Sequence, residues 1–243
     1  MQHLPRIDIN ADLGESFSVY NYGADNEILP KITSANIAAG FHASDPVTLQ
    51  KTVEKAIYYK VRLGAHIGYP DRLGFGRRSM NITSEEAYAY TIYQLGAVAA
   101  FVKVKGGKLS HVKLHGAMYM DACNSPSLAA GVVKAVSDYD PQLLIYTLPN
   151  SSVENVAKSM GVNVWREFFA DRPYADTEVQ MFGWRLEDIG SPSDAAKRTM
   201  KHLEEPSGSI YETVCIHSDT PGAPKILDAV REALLEKYSL LKT

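Results

Sequence analysis

Acids, imidazoles and cations recur in this chain just where short apolar runs end. NIAAGFHASDP, residues 36–46, starts at Asn36, continues through apolar residues and stops at His42, followed by Asp45 and Pro46. Asn10, Asp12 and Glu15 close an earlier run at 6–10, and His66 closes 61–66, with Arg77 and Arg78 in the loop beyond. Lys113 and His115 close 111–115, Glu167, Asp171 and Arg172 follow 162–168, and His217 and Asp219 end 213–217. Only the run at 143–147 ends quietly, in Thr147 and Asn150. Any one of these residues could cap a helix or sit in a solvated turn. Six strand ends carrying ionisable groups point instead to a shared enzyme site, because independent turns have no common need for such groups.

Two chemistries use these residue types. Asp12, His42, His66, His115 and His217 could act as general acids, bases and donors to developing charge. The same nitrogen and oxygen donors could hold a divalent metal that activates water. No HExxH occurs, and the one HxxxH spacing, His111 to His115, falls in a strand-like run rather than a helix, so any metal site would be assembled from distant strands. Both readings stay open. Lys113, Arg77, Arg78 and Arg172 suggest a carboxylate or phosphate in the substrate, which guanidinium forks bind bidentately. No GxxxxGK[ST] loop occurs, and Gly74-Phe75-Gly76 runs into Arg77-Arg78-Ser79 without completing GxGxxG. His3, His111 and His202 read as terminus, strand-start and helix-surface residues with no role.

The elements that must position this rim alternate. Apolar runs at 6–10, 34–39, 61–66, 111–115, 143–147, 162–168 and 213–217 read as strands, separated by segments of helical period. The segment 46–60 places Val47, Val53, Ala56 and Ile57 on one face, with Asp45 as cap and Pro46 in the first turn. Thr83 and Glu86 have capping-box spacing. Ser125-Pro126 and Pro221-Gly222 mark further starts, for helices at 126–138 and 223–237. Gly106-Gly107 and 173–193 read as loops within one domain spanning 1–243. Seven strands alternating with helices imply a parallel β/α architecture, and strands apolar on both faces should be covered on both sides. Polar groups gathered at the strand ends favour a closed or nearly closed β/α barrel of about seven strands over an open doubly wound sheet.

Composition is that of an ordinary globular protein, with 45% hydrophobic and 22% charged residues. A formal net charge of −3 offers no attraction to nucleic acid or to an anionic membrane. Cys123 and Cys215 form no CxxC pair, which argues for reduced core thiols. No apolar targeting segment and no membrane-length run occurs, so the expected location is cytoplasmic.

The blocks IDINADLGESF (7–17), TSANIAAGFHASDP (33–46), GAHIGYPDRLGFGRR (64–78), VKLHGAMY (112–119), EFFADRPY (167–174) and VCIHSDTPGA (214–223) resemble the LamB/YcsF family. That resemblance spans nearly the whole chain in order. It implies a distorted seven-stranded β/α barrel similar to carbohydrate deacetylases. It also implies ATP-dependent 5-oxoprolinase chemistry, in which 5-oxoproline, ATP with Mg2+ and water give glutamate, ADP and phosphate, performed with subunits B and C. On that reading Asp12, His42, His66, Lys113 and His115 form the catalytic set. Asn10, Glu15, Asn36, Arg77, Arg78, Asp171, Arg172, His217 and Asp219 bind substrate, and any metal falls to Asp12, His42, His66 and His115. The chain departs from the family pattern at Ala39, where Cys is usual, and at Leu114, where Pro is usual. Ser44 and Ser218 stand where the pattern has Gly, and 175–186 lacks a clean Gly-x-Leu-x-x-Arg. Two alternatives fit the same rim: a stand-alone metal-dependent amidase or deacetylase, and a non-catalytic lactam-binding subunit.

Overall fold

The computed structural model describes residues 4–176, 178–204 and 210–241, so His3 lies outside the described residues. Its strands are β1 (Arg6–Leu13), β2 (Ser34–Ala38), β3 (Arg62–Ile67), β4 (Leu109–Leu114), β5 (Leu144–Thr147) and β6 (Val164–Phe169), then a short pair, β7 (Tyr174–Ala175) and β8 (Glu178–Val179), and finally β9 (Thr213–Cys215) and β10 (Ser239–Leu240). β1 to β6 pair in parallel in sequence order, β9 follows β6, and β9 also pairs with β1, which closes a barrel of seven strands. β10 adds a parallel pairing at the start of β1, through Arg6 with Ser239 and Ile7 with Leu240.

The helices are α1 (Asp25–Ile28), α2 (Pro46–Tyr58), α3 (Ser84–Val104), α4 (Gly116–Asn124), α5 (Pro126–Tyr139), α6 (Ser152–Met160), α7 (Leu186–Ile189), α8 (Pro192–Glu204) and α9 (Ala223–Lys237). Local chemistry sets several starts. Asp45 Oδ1 accepts from the amides of Val47 (2.9 Å) and Thr48 (3.1 Å), and Thr83 and Glu86 form the expected capping box. Such a cap contributes on the order of 1 kcal/mol. α2 buries Leu49, Thr52, Val53 and Ala56, whereas Val47 is exposed. Val47 lies six residues before Val53, about 120° around the helix, so the buried face is rotated from the expected one. The region 173–193 is not only loop, since it holds the β7–β8 hairpin and α7. No helix among the described residues is long and apolar enough to cross a membrane.

The strands are not apolar on both faces. On β1, Ile7, Ile9, Ala11 and Leu13 join the apolar core, while Asp8, Asn10 and Asp12 are buried facing the barrel interior. Side chains alternate along a strand, so residues two apart share a face. His111 and Lys113 on β4 and Thr213 and Cys215 on β9 follow the same parity. The interior of this barrel is therefore a polar network, and the apolar layer lies between strands and helices.

Candidate active site at the carboxyl end of the barrel

The floor of the site is a stack of buried polar groups. Asp8 accepts from Ser34 Oγ (2.6 Å), Thr213 Oγ1 (2.6 Å) and Tyr146 OH (3.2 Å), which ties β1 to β2, β9 and β5. One layer up, Asn10 Nδ2 donates to Glu167 (2.9 Å) and Thr213 (2.7 Å), and Asn36 Nδ2 donates to Asn10 and Asp12 (both 2.8 Å). His111 belongs to this layer. Its Nε2 donates to Asn36 Oδ1 (2.7 Å), its ring stacks on Tyr146 at 4.2 Å, and burial pushes its pKa well down. A neutral His111 thus fixes the Asn36 amide that in turn holds Asp12. Gly64 makes room for it, because a Cβ there would collide with the His111 ring.

Lys113 is the central cation. Its Nζ lies 3.0 Å from Asp12, 3.0 Å from Glu167, 3.0 Å from Cys215 Sγ and 3.3 Å from Asn10 Oδ1. Burial opposes its charge, but the neighbouring Asp12 and Glu167 outweigh it and hold the ammonium well above the usual lysine range. It balances buried carboxylates, so its donors point into the protein.

On the β1–β4 side of the mouth four groups converge. One donor atom from each of Glu15, His42, His66 and His115 lies within 4.8 Å of the others, and all four residues are buried. His42 Nε2 is 3.2 Å from Glu15 Oε1, His66 Nε2 is 3.2 Å from Asp12 Oδ2, and His66 Nε2 is 3.0 Å from His115 Nδ1. The rings of His42 and His115 stack at 3.8 Å, nearly parallel. Burial lowers the pKa of both His42 and His115, so each is a neutral imidazole near pH 7. The two carboxyls are driven apart. Burial raises Asp12, yet His66 and Lys113 hold it well below the usual range, while burial together with Asp12 and Asp219 pushes Glu15 well up.

On the β6–β9 side, Asp171 organises a second group. It accepts from His217 Nδ1 (3.0 Å), Arg172 Nη1 (2.9 Å) and Thr220 Oγ1 (2.5 Å). Burial raises its pKa, but Arg172, His217 and Thr220 prevail and hold it below the usual carboxylate range. Because His217 Nδ1 donates a hydrogen bond to Asp171, Nε2 is the nitrogen left to act as a base, 3.6 Å from Asp12 Oδ2. Between the two sides lies a cavity of about 280 Å³, lined by Arg77, His115, Arg172 and His217 and roofed by Phe182 and Trp184. The Arg172 guanidinium stacks over the Trp184 ring at 4.7 Å. Arg77 pairs with Asp219 at 2.6 Å, and Tyr22 OH reaches the same carboxylate at 3.2 Å.

Most of the residues singled out from the sequence therefore meet at one end of the barrel: Asn10, Asp12, Glu15, Asn36, His42, His66, Arg77, Lys113, His115, Asp171, Arg172, His217 and Asp219. Arg78 does not join them. Its side chain is 65% exposed and pairs with Asp71, a carboxylate of its own loop. The donor cluster able to hold a metal contains Glu15 rather than the expected Asp12. His202 is not a free surface residue; its ring contacts Phe168 and Tyr174, and Nδ1 lies 2.9 Å from the Arg198 carbonyl. The sequence reading misses His111 and Cys215 as site residues and leaves Glu167 at its strand end without a role. His111 lies two residues before Lys113 and Cys215 two before His217, a same-face spacing that was there to be read. Ser44 adopts φ +73°, a backbone region that glycine favours, at a position where the family pattern has Gly.

The chain matches the family described as LamB/YcsF over residues 7–242. It is 41% identical to a Pyrococcus horikoshii protein and 42% identical to a Geobacillus thermodenitrificans protein, each named as the A subunit of 5-oxoprolinase. These alignments cover 96% and 94% of this chain and 95% and 93% of the relatives. The crystal structure of a lactam utilization protein from Thermus thermophilus superposes with a TM-score of 0.86 at 39% identity, covering 95% of this chain and 96% of that one. A putative cellobiose-phosphate cleavage protein from Enterococcus faecalis shares the fold alone, with a TM-score of 0.60 at 13% identity over 99% of this chain and 98% of that one.

Proposed function

Because the chain belongs to the LamB/YcsF family, we propose that it is the lactam-opening subunit of an ATP-dependent 5-oxoprolinase working with subunits B and C. The name of its relatives supports the lactam substrate and an assembly of several subunits. A lactam is a resonance-stabilised amide and resists attack by water at neutral pH. Transfer of the ATP γ-phosphoryl group to the lactam oxygen, with Mg2+ on the nucleotide, creates a leaving group. Water then adds to the ring carbon and the carbon–nitrogen bond opens with a proton passing to nitrogen, which leaves an acyl phosphate; a second water hydrolyses that acyl phosphate to glutamate and phosphate. The absence of a phosphate-loop motif in this sequence favours a partner as the site of phosphoryl transfer.

The observation that carries this reading is the Asp171–His217 pair at the cavity wall, with Arg77 and Arg172 beside it. His217 Nε2 takes the proton of the attacking water, and Asp171 and Asp12 stabilise the imidazolium that results. Arg77 and Arg172 face the carboxylate or phosphate of the activated substrate. Lys113 helps keep Asp12 ionised.

The test is glutamate release from 5-oxoproline and Mg-ATP, with the chain alone and with subunits B and C. Release is expected only in the full mixture, and His217→Asn should lower it by about 10²–10⁴-fold with the fold retained. Full activity in that variant would remove His217 as the base, and no glutamate from any combination of folded subunits would overturn the reading.

A further inference from the structure

Potential ligand atoms converge on the β1–β4 side of the mouth. His66 Nδ1 lies 3.2 Å from the Lys113 carbonyl, and His115 Nε2 lies 2.8 Å from the Phe75 carbonyl. A carbonyl can only accept, so each of these nitrogens carries a hydrogen, and the opposite nitrogen of each ring is the one free to ligate. Those two nitrogens, His66 Nε2 and His115 Nδ1, lie 3.0 Å apart, and Asp12 Oδ2 lies 3.2 Å from His66 Nε2. Glu15 Oε1 closes the triangle, 3.8 Å from His66 Nε2 and 3.5 Å from His115 Nδ1. Three such atoms at these separations either share protons or surround a cation.

We propose that Glu15 Oε1, His66 Nε2 and His115 Nδ1 bind a divalent transition-metal ion of the zinc class, beside the proposed lactam cavity. A tetrahedral ion with bonds of about 2.0–2.2 Å needs ligand atoms roughly 3.3–3.5 Å apart, and the three separations bracket that spacing. Two imidazoles and one carboxylate, with a fourth position left open, match a known catalytic zinc ligand set. Imidazole donors select zinc-class ions over Mg2+ and Ca2+, which prefer oxygen. The carbonyl acceptors behind each imidazole are the partners that fix a ligating tautomer. His42 stands outside this set although its Nε2 is near Glu15. Its ring is nearly parallel to that of His115, and two parallel rings at 3.8 Å cannot aim in-plane lone pairs at one ion. The binding of the ion stands on this geometry alone, whereas any use of it in lactam opening rests on the function proposed above.

The test strips the full chain with a chelator, reloads it with Zn2+ or Co2+, and counts metal per chain by mass spectrometry after gel filtration. One ion per chain is expected, with the visible absorption of low-symmetry Co2+. Glu15→Gln, His66→Ala and His115→Ala should each weaken Co2+ binding at least ~100-fold, more than loss of an outer partner costs, while His42→Ala retains it. Circular dichroism identifies any variant that has lost its fold, and the wild-type stoichiometry stands independently of all variants. Substoichiometric metal in the wild type, or unchanged Co2+ binding in the three ligand variants, would overturn the site and leave a shared proton between His66 and His115. Metal bound without glutamate release would uphold the site and sink the function; glutamate release without metal would do the reverse.

Discussion

The two sides of the barrel mouth are built from the same residue types and handle them differently. On the β6–β9 side every charge meets its complement: Asp171 faces Arg172, His217 and Thr220, and its pKa is held down. On the β1–β4 side a buried Glu15 and the imidazoles of His66 and His115 crowd together, and burial with nearby acids pushes the Glu15 carboxyl well up. Charge-complementary groups rigidify a wall and orient a base. Under-compensated donors converging on one point instead make a receptor for a positive charge. Lys113 separates the two sides, satisfying Asp12 and Glu167 beneath them both.

This contrast can be broken by mutation. Asp171→Ala leaves Arg172 buried without its partner, and should destabilise the fold by about 3–5 kcal/mol in chemical denaturation. Glu15→Gln removes a carboxyl that burial and like charges already disfavour, and should cost far less. Equal losses for the two variants would mean that the two sides do not differ as described.

Acid titration sharpens the same point. The folded-state pKa of Asp171 is depressed, so the native protein binds fewer protons than the unfolded chain as pH falls. Its stabilisation is complete above the unfolded carboxyl pKa of about 3.9 and is lost as pH drops through and below that value. Denaturation midpoints measured from pH 6 downward to about 3 should therefore fall less steeply for Asp171→Asn than for the wild type. Parallel curves would remove Asp171 from the acid response.

The smallest expected effect lies in the shared floor. Gly64→Ala forces His111 away from Asn36, and overpacking of this kind costs about 1–3 kcal/mol. Because Asn36 also holds Asp12, the variant should lower glutamate release as well as the denaturation midpoint. A stable variant with full turnover would show that the floor does not position the site.

Much of this was legible from the residues. The starts of α2 and α3 could be read because capping is satisfied within a few positions of the helix end, as with Asp45 and with Thr83 and Glu86. The gathering of His42, His66, His115 and His217 followed from strand direction, since parallel strands closing a barrel deliver their carboxyl ends to one rim. Val47 was misplaced because a short apolar run fits more than one helical face. His111 was set aside because a histidine at a strand start has no visible partner in sequence; its partners Asn36 and Tyr146 lie on other strands.

The sequence by itself determined the alternation of strands and helices, the family and the stock of ionisable groups at the strand ends, because each depends on local pattern or on residue identity. Only the tertiary structure decided which groups are used up and which remain available. Arg78 is spent on Asp71 and Lys113 on Asp12 and Glu167, while Asp171 orients His217 and backbone carbonyls turn His66 Nε2 and His115 Nδ1 toward Glu15. Ionisation and tautomer depend on burial and on neighbours several ångströms away, and barrel closure is what brings those neighbours together.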